Sequence, residues 1–146
     1  MAKRKKPLVL VIDDDAWMQR VVRQRLEQSG ADVITAMSPV TGISIAVNDI
    51  PDLILLDILM PGIDGEIAFR IFRSIHVTRN IPIIIISANI SPEILKKTHK
   101  EGTIGYLTKP FTTDKLHEMA KVVLDSFKPD TDEFSDQGDV IFDSKE

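Results

Sequence analysis

The chain has 146 residues, a formal net charge of −4 and no cysteine. One domain of this length buries its own core, and the lack of thiols excludes a disulfide framework and a thiolate metal site. The longest apolar runs fall far short of a membrane span.

Residues 1–7 carry Lys3, Arg4, Lys5 and Lys6 and read as a solvated basic arm. A strand-like run follows them rather than a signal-peptide core, so the expected location is the cytoplasm, with no membrane attachment. No nucleic-acid motif accompanies the arm, and direct nucleic-acid binding is not expected.

From residue 8 onward, β-rich runs at 8–12, 33–36, 53–56, 83–86 and 104–107 alternate with stretches of helical composition, making five β-α units. The first, third and fourth runs (LVLVI, LILL and IIII) are continuously apolar, as a parallel sheet covered on both faces requires. The weaker second and fifth suit the edges. Pro51 and Pro82 stand just before the third and fourth strands, where a missing amide does not interrupt a ladder.

The first strand runs into Asp13, Asp14 and Asp15. Three adjacent carboxylates repel one another, and a buried strand end solvates them poorly. Two readings stand: a solvated loop with one residue capping the next helix, or a site for a cation. The first helix spans 16–28, with Met18, Val21, Val22, the Arg25 stem and Leu26 on its apolar face, and ends at Ser29-Gly30. Trp17, the only tryptophan, falls in its first turn, half-buried beside the acids.

Ligands of a parallel α/β sheet bind beyond the carboxyl ends of the strands. There the third strand offers Asp57, the fourth Ser87-Ala88-Asn89 and the fifth Thr108-Lys109-Pro110. Taken singly, Lys109 reads as a surface lysine and Ser87 as a strand-end hydroxyl. Together the acids suit a hard cation such as Mg²⁺, the lysine neutralises a phosphoryl group, the hydroxyl hydrogen-bonds one of its oxygens, and a carboxylate accepts phosphate. His76, His99 and His117 are dispersed and read as surface residues. Residues 128–146 hold seven acids against two lysines and read as a flexible acidic tail with apolar anchors at Phe134, Val140, Ile141 and Phe142.

The segments VIDDD, PDLILLDILMPGIDG, IIIISAN and GYLTKPF, in this order and spacing, resemble the receiver domain of two-component response regulators over residues 8–127, in the stand-alone, chemotaxis-regulator-like form. The resemblance implies a (βα)5 doubly wound parallel five-stranded sheet of flavodoxin-like order 2-1-3-4-5. It implies Asp57 as phosphoacceptor from a histidine kinase or histidine phosphotransfer protein. Mg²⁺, with Mn²⁺ as substitute, would be bound by Asp14, Asp57, the Leu59 backbone carbonyl and, through water, Asp13. Ser87 and Lys109 would contact the phosphoryl group, with the lysine preceding a cis proline. Ser87 and Tyr106 would form the switch that alters the surface of the fourth helix, fifth strand and fifth helix for an unknown protein target. Asp15 would be left to cap the first helix, and Gly62 and Gly65 would give the turn into the third helix its backbone freedom. Such a chain is a signalling phosphoacceptor that assists its own phosphorylation and dephosphorylation, not an enzyme. Leu59 and Asn89 would tune the water that hydrolyses the acyl phosphate.

Two alternatives share part of this chemistry. A haloacid dehalogenase-type phosphatase would use Asp13 as nucleophile, but it requires a further acid pair after the lysine and leaves Asp57 unexplained. A receiver-like binding module that is never phosphorylated leaves the full set of acids, hydroxyl and lysine without a use.

Overall fold

The computed structural model describes residues 4–60 and 64–129. Five strands and five helices alternate: β1 (Leu8–Ile12), α1 (Ala16–Gln28), β2 (Asp32–Ala36), α2 (Pro39–Asp49), β3 (Leu53–Asp57), α3 (Gly65–Ser74), β4 (Ile83–Ser87), α4 (Pro92–His99), β5 (Thr103–Thr108) and α5 (Thr113–Ser126). All strand pairs are parallel, and the sheet order is β2-β1-β3-β4-β5. The two weak strands are the edges, as their composition implied.

The sheet is covered on both faces, and strand periodicity divides its side chains between two core layers. Leu10, Ile12, Ile54, Leu56, Ile83 and Ile85 pack with Ala46, Ala68, Phe69 and Phe72 of α2 and α3. Val9, Val11, Leu53, Leu55, Ile84 and Ile86 pack with Val22 and Leu26 of α1 and Leu116 and Ala120 of α5. Every residue of β1, β3 and β4 is buried, so those strands tolerate no polar alternation. Each helix opens on an oxygen-bearing cap: Asp15, Ser38, Asp64, Ser91 and Thr112 accept amide hydrogens of the first turn of α1 to α5 respectively.

Four expectations need correction. Trp17 is 69% exposed rather than half-buried, because the buried stripe of α1 is Gln19, Val22 and Leu26 and Trp17 lies on the opposite side of the helix. Met18, Val21 and Arg25 are only partly covered for the same reason. Gly65 does not have a positive φ; a Cβ there would collide with the Ile58 backbone, so the residue is small to let α3 approach β3. Arg4 is not solvated: its guanidinium donates to the carbonyls of Asp49 and Ile50 and pairs with Asp52 at 3.2 Å. That clamp holds the end of α2, where Ile50 adopts a left-handed φ of 45° that costs a β-branched residue about 1–2 kcal/mol. Gly62 and tail residues 130–146 lie outside the described residues.

Candidate functional site

The strand order reverses between β1 and β3, and the carboxyl ends of these strands carry the acids. Asp13 is fully buried, Asp57 is 3% exposed and Asp14 faces solvent. One carboxylate oxygen from each of the three lies within 4.8 Å of the others. Asp15 stays out of the cluster: its side chain accepts the Trp17 and Met18 amides and caps α1, which assigns the fourth carboxylate of the rim to the helix.

Lys109 reaches into this group from the end of β5. Its Nζ stands 2.9 Å from Asp13 Oδ2 and 2.9 Å from Asp57 Oδ2. The second contact is an aligned hydrogen bond, whereas Asp13 Oδ2 has the ion pair by distance but no aligned donor. Asp57 Oδ1 accepts the Leu59 amide at 2.9 Å, and Asp13 Oδ1 accepts the Asp15 amide at 3.0 Å. Both carboxylates are therefore oriented by their own loops. The peptide bond from Lys109 to Pro110 is cis, as the resemblance implied.

Burial pushes the Asp13 carboxyl above its ordinary range, and the charge of Asp57 adds to this. The Lys109 ammonium and the Asp15 amide oppose it without cancelling it. For Lys109, burial favours the neutral amine, but the hydrogen bonds and charges of Asp13 and Asp57 outweigh burial and raise its pKa. The site thus holds a half-buried ammonium between two carboxylates, with Asp13 Oδ2 paired by charge but lacking an aligned hydrogen-bond donor. That surplus of oxygen ligands, without nitrogen or sulfur donors, fits a hard divalent cation.

Ser87 and Tyr106 belong to the same rim but do not touch the acids. The buried Ser87 hydroxyl donates to Asn89 O at 3.1 Å and accepts the Asn89 amide at 3.2 Å. Half-buried Tyr106 packs against the α3 side of the core and donates its hydroxyl to Leu95 O at 3.0 Å, while sharing a 2.8 Å hydrogen bond with Thr98 Oγ1. His76 and His99 are exposed, and no histidine joins the acid group among the described residues.

Sequence reasoning missed Gln19. Its amide is buried and donates to Asp13 O at 2.6 Å and Ala36 O at 2.8 Å, tying the loop that carries the acids to α1 and β2. The signal was available, because Gln19 is a polar residue in register with Val22 and Leu26.

A flavodoxin-like sheet with a carboxylate group, a hydroxyl and a lysine at its switch point defines a phosphate-handling signalling module rather than a phosphatase with a cap. The response regulator receiver domain matches residues 9–121, and the chain belongs to that family. It is similar to the DNA-binding dual master transcriptional regulator RpaA of Synechocystis, 32% identical over 81% of this chain and 49% of RpaA. Protein PilG of Pseudomonas aeruginosa is 31% identical over 83% of this chain and 90% of PilG. The solved structure of the chemotaxis response regulator CheY4 of Vibrio cholerae, crystallized at low pH, superposes with a TM-score of 0.75 at 27% identity, covering 82% of this chain and 99% of CheY4. The chain spans about half the length of RpaA. The family match and the fold favour neither the phosphatase reading nor the binding-module reading. Among the described residues, no helix is long and apolar enough to cross a membrane.

Proposed function

We propose that Asp57 takes a phosphoryl group from the phosphohistidine of a histidine kinase or histidine phosphotransfer protein. The observation that carries this reading is the Asp57 carboxylate at the end of β3, grouped with Asp13 and Asp14 and hydrogen-bonded to Lys109. A carboxylate oxygen of Asp57 bonds to phosphorus, the P–N bond breaks, and the released imidazole nitrogen takes up a proton. The Leu59 amide orients the carboxylate for that attack. Lys109, kept cationic by its two carboxylates, faces the charge of the transferred group.

Asp13, Asp14, Asp57 and the Leu59 carbonyl would hold Mg²⁺ or, in its place, Mn²⁺. When bound, the ion neutralises the acids and the oxygens of the transferring group. Ser87 reaches a phosphoryl oxygen only by releasing Asn89, and that release is the start of the switch. Tyr106 and α4 follow, and the surface of α4, β5 and α5 presents the result to a protein partner. This reading puts the chain in the cytoplasm and gives it a signalling role rather than turnover of a separate substrate. It sends output through protein contact, without direct binding of nucleic acid.

The test is the intact mass of the protein after incubation with a small acyl-phosphate donor. One phosphoryl adduct should form with Mg²⁺, fall sharply when the metal is chelated, and be absent in Asp57→Asn. An equal yield in that variant, or without metal, overturns the assignment.

A further inference from the structure

Away from the acid site, an open groove of about 510 Å³ lies between α3 and α4, lined by Arg70, Arg73, Ser74, Lys97, Lys100 and Glu101. Four cations face one carboxylate there. Arg73 is its fixed post: the guanidinium lies over the Phe69 ring, 5.1 Å from its centroid, and donates to the carbonyls of Arg79, Ile81, Glu101 and Gly102. Burial lowers the Arg73 pKa. Arg70 and Lys97 share Glu66, at 2.8 and 3.3 Å, and Lys100 makes no ion pair among the described residues. The groove keeps a net positive field that its own acids do not cancel.

A small anion fits this groove poorly. Four of the five N–H groups of Arg73 go to carbonyls, the remaining cations stand on long exposed stems, and Glu101 lies among them. An extended segment with several carboxylates meets such a dispersed field better. Residues 130–146 have the composition for it: seven acids and a single lysine, for a net charge of −6 within a total of −4. The remainder of the molecule is therefore positive by two charges.

Topology brings the end of α5 to the same end of the sheet as this groove. In a parallel sheet every helix runs back along its strands, so the ends of α3, α4 and α5 all lie at the amino ends of the strands. α4 and α5 flank β5, the edge strand, from opposite faces. A segment that continues from α5 has only to pass around that edge to reach Lys97 and Lys100. Seventeen residues extend to on the order of 55 Å, against a radius of gyration of about 14 Å for a domain of this size.

We propose that the acidic residues 130–146 dock in this groove of their own chain, held mainly by charge, and cover one flank of α4. Attachment to α5 gives the segment an effective concentration in the millimolar range, so weak individual pairs suffice. Screening then makes the contact salt-sensitive.

Because the chain lacks cysteine, Ser135→Cys provides a single site for a nitroxide label on the 146-residue chain. At low ionic strength, paramagnetic broadening should concentrate on the amides of Arg73, Ser74, Lys97 and Lys100. It should fade at about 0.5 M salt, where the Debye length falls below about 5 Å. It should also fade in Lys97→Glu/Lys100→Glu. Asp132→Asn/Glu133→Gln/Asp136→Asn should abolish it equally while leaving the folded domain untouched. Absence of broadening at the groove in low salt overturns the proposal, as does broadening that neither charge variant weakens. Broadening seen only when spin-labelled protein is mixed with isotope-labelled protein makes a second copy the occupant and likewise overturns it.

Discussion

On the proposed function, Leu59 bears on the lifetime of the acyl phosphate. Its amide is bound to Asp57 Oδ1, while its side chain is 56% exposed at the rim of the acid group. An apolar side chain there cannot orient a water for attack on an acyl phosphate. Leu59→Asn supplies a hydrogen-bonding group at that position and should speed loss of the phosphoryl group, by up to about tenfold, the equivalent of about 1.4 kcal/mol in the barrier. The decay of the mass adduct over time reads this directly, and an unchanged or slower decay refutes it. Asn89 is also exposed at the rim, with its backbone tied to Ser87. The acids, Ser87 and Lys109 were legible because each ends a strand, and the pattern of apolar runs locates strand ends well. Arg73 was not, since it acts by donating to backbone carbonyls, and such bonds depend on tertiary approach rather than on residue type; the register of Gln19 with Val22 and Leu26 marked it as buried without showing its partners.

At the scale of elements, the proposed function routes the change from the acids to a partner surface through α4. Ser87 is tied to Asn89, and two residues later Ser91 caps α4. On the far side of the helix, the Tyr106 hydroxyl lies 3.0 Å from Leu95 O and 2.8 Å from Thr98 Oγ1, which in turn lies 2.6 Å from Ile94 O, two hydroxyl hydrogens serving the three contacts. Movement of Ser87 toward a phosphoryl group therefore pulls one end of α4, while Tyr106 can leave its place only by giving up bonds to the other. In the Asp57-beryllofluoride complex, which mimics the aspartyl phosphate, the amides of Leu95 and Thr98 should lose exchange protection together with a shift of the Tyr106 ring signals. Tyr106→Phe should loosen α4 beforehand, by about 1 kcal/mol for the lost hydrogen bonds, and shrink the response. If α4 protection is the same in the free protein, the complex and the variant, Tyr106 is not part of the switch. The strands themselves were readable to within a residue, the three central ones because at least four consecutive positions buried on both faces carry apolar side chains before any polar end. The reason for Gly65 was not, because close approach of α3 to Ile58 leaves no trace in local pattern.

For the molecule as a whole, the acid site is a standing electrostatic load on the fold. Asp13 is fully buried, and its carboxyl is held above the ordinary range chiefly by burial. The folded chain therefore keeps this proton at pH values where the unfolded chain has lost it. The contribution of Asp13 to stability is largest below the unfolded pKa and is lost as pH rises through the folded one, leaving a penalty at neutral pH. Lys109 works over another window: its raised pKa contributes stability below the ordinary lysine value, lost as pH rises through the folded value. At neutral pH, Lys109 offsets part of the carboxylate load without removing it. Asp13→Asn takes away the buried charge, keeps the shape, and leaves Lys109 its aligned bond to Asp57. Without metal, the variant should be more stable than the parent at neutral pH, on the order of 1 kcal/mol, with the difference shrinking toward acid. Mg²⁺ should reverse the order. A ligand at a hundred times its Kd stabilises the parent by about 2.7 kcal/mol, whereas the variant, one ligand short, should gain little. Thermal melts of both proteins at neutral and acid pH, with Mg²⁺ and with chelator, separate these effects. Equal melting temperatures for parent and variant under all four conditions would mean that Asp13 neither strains the free fold nor helps to hold the metal.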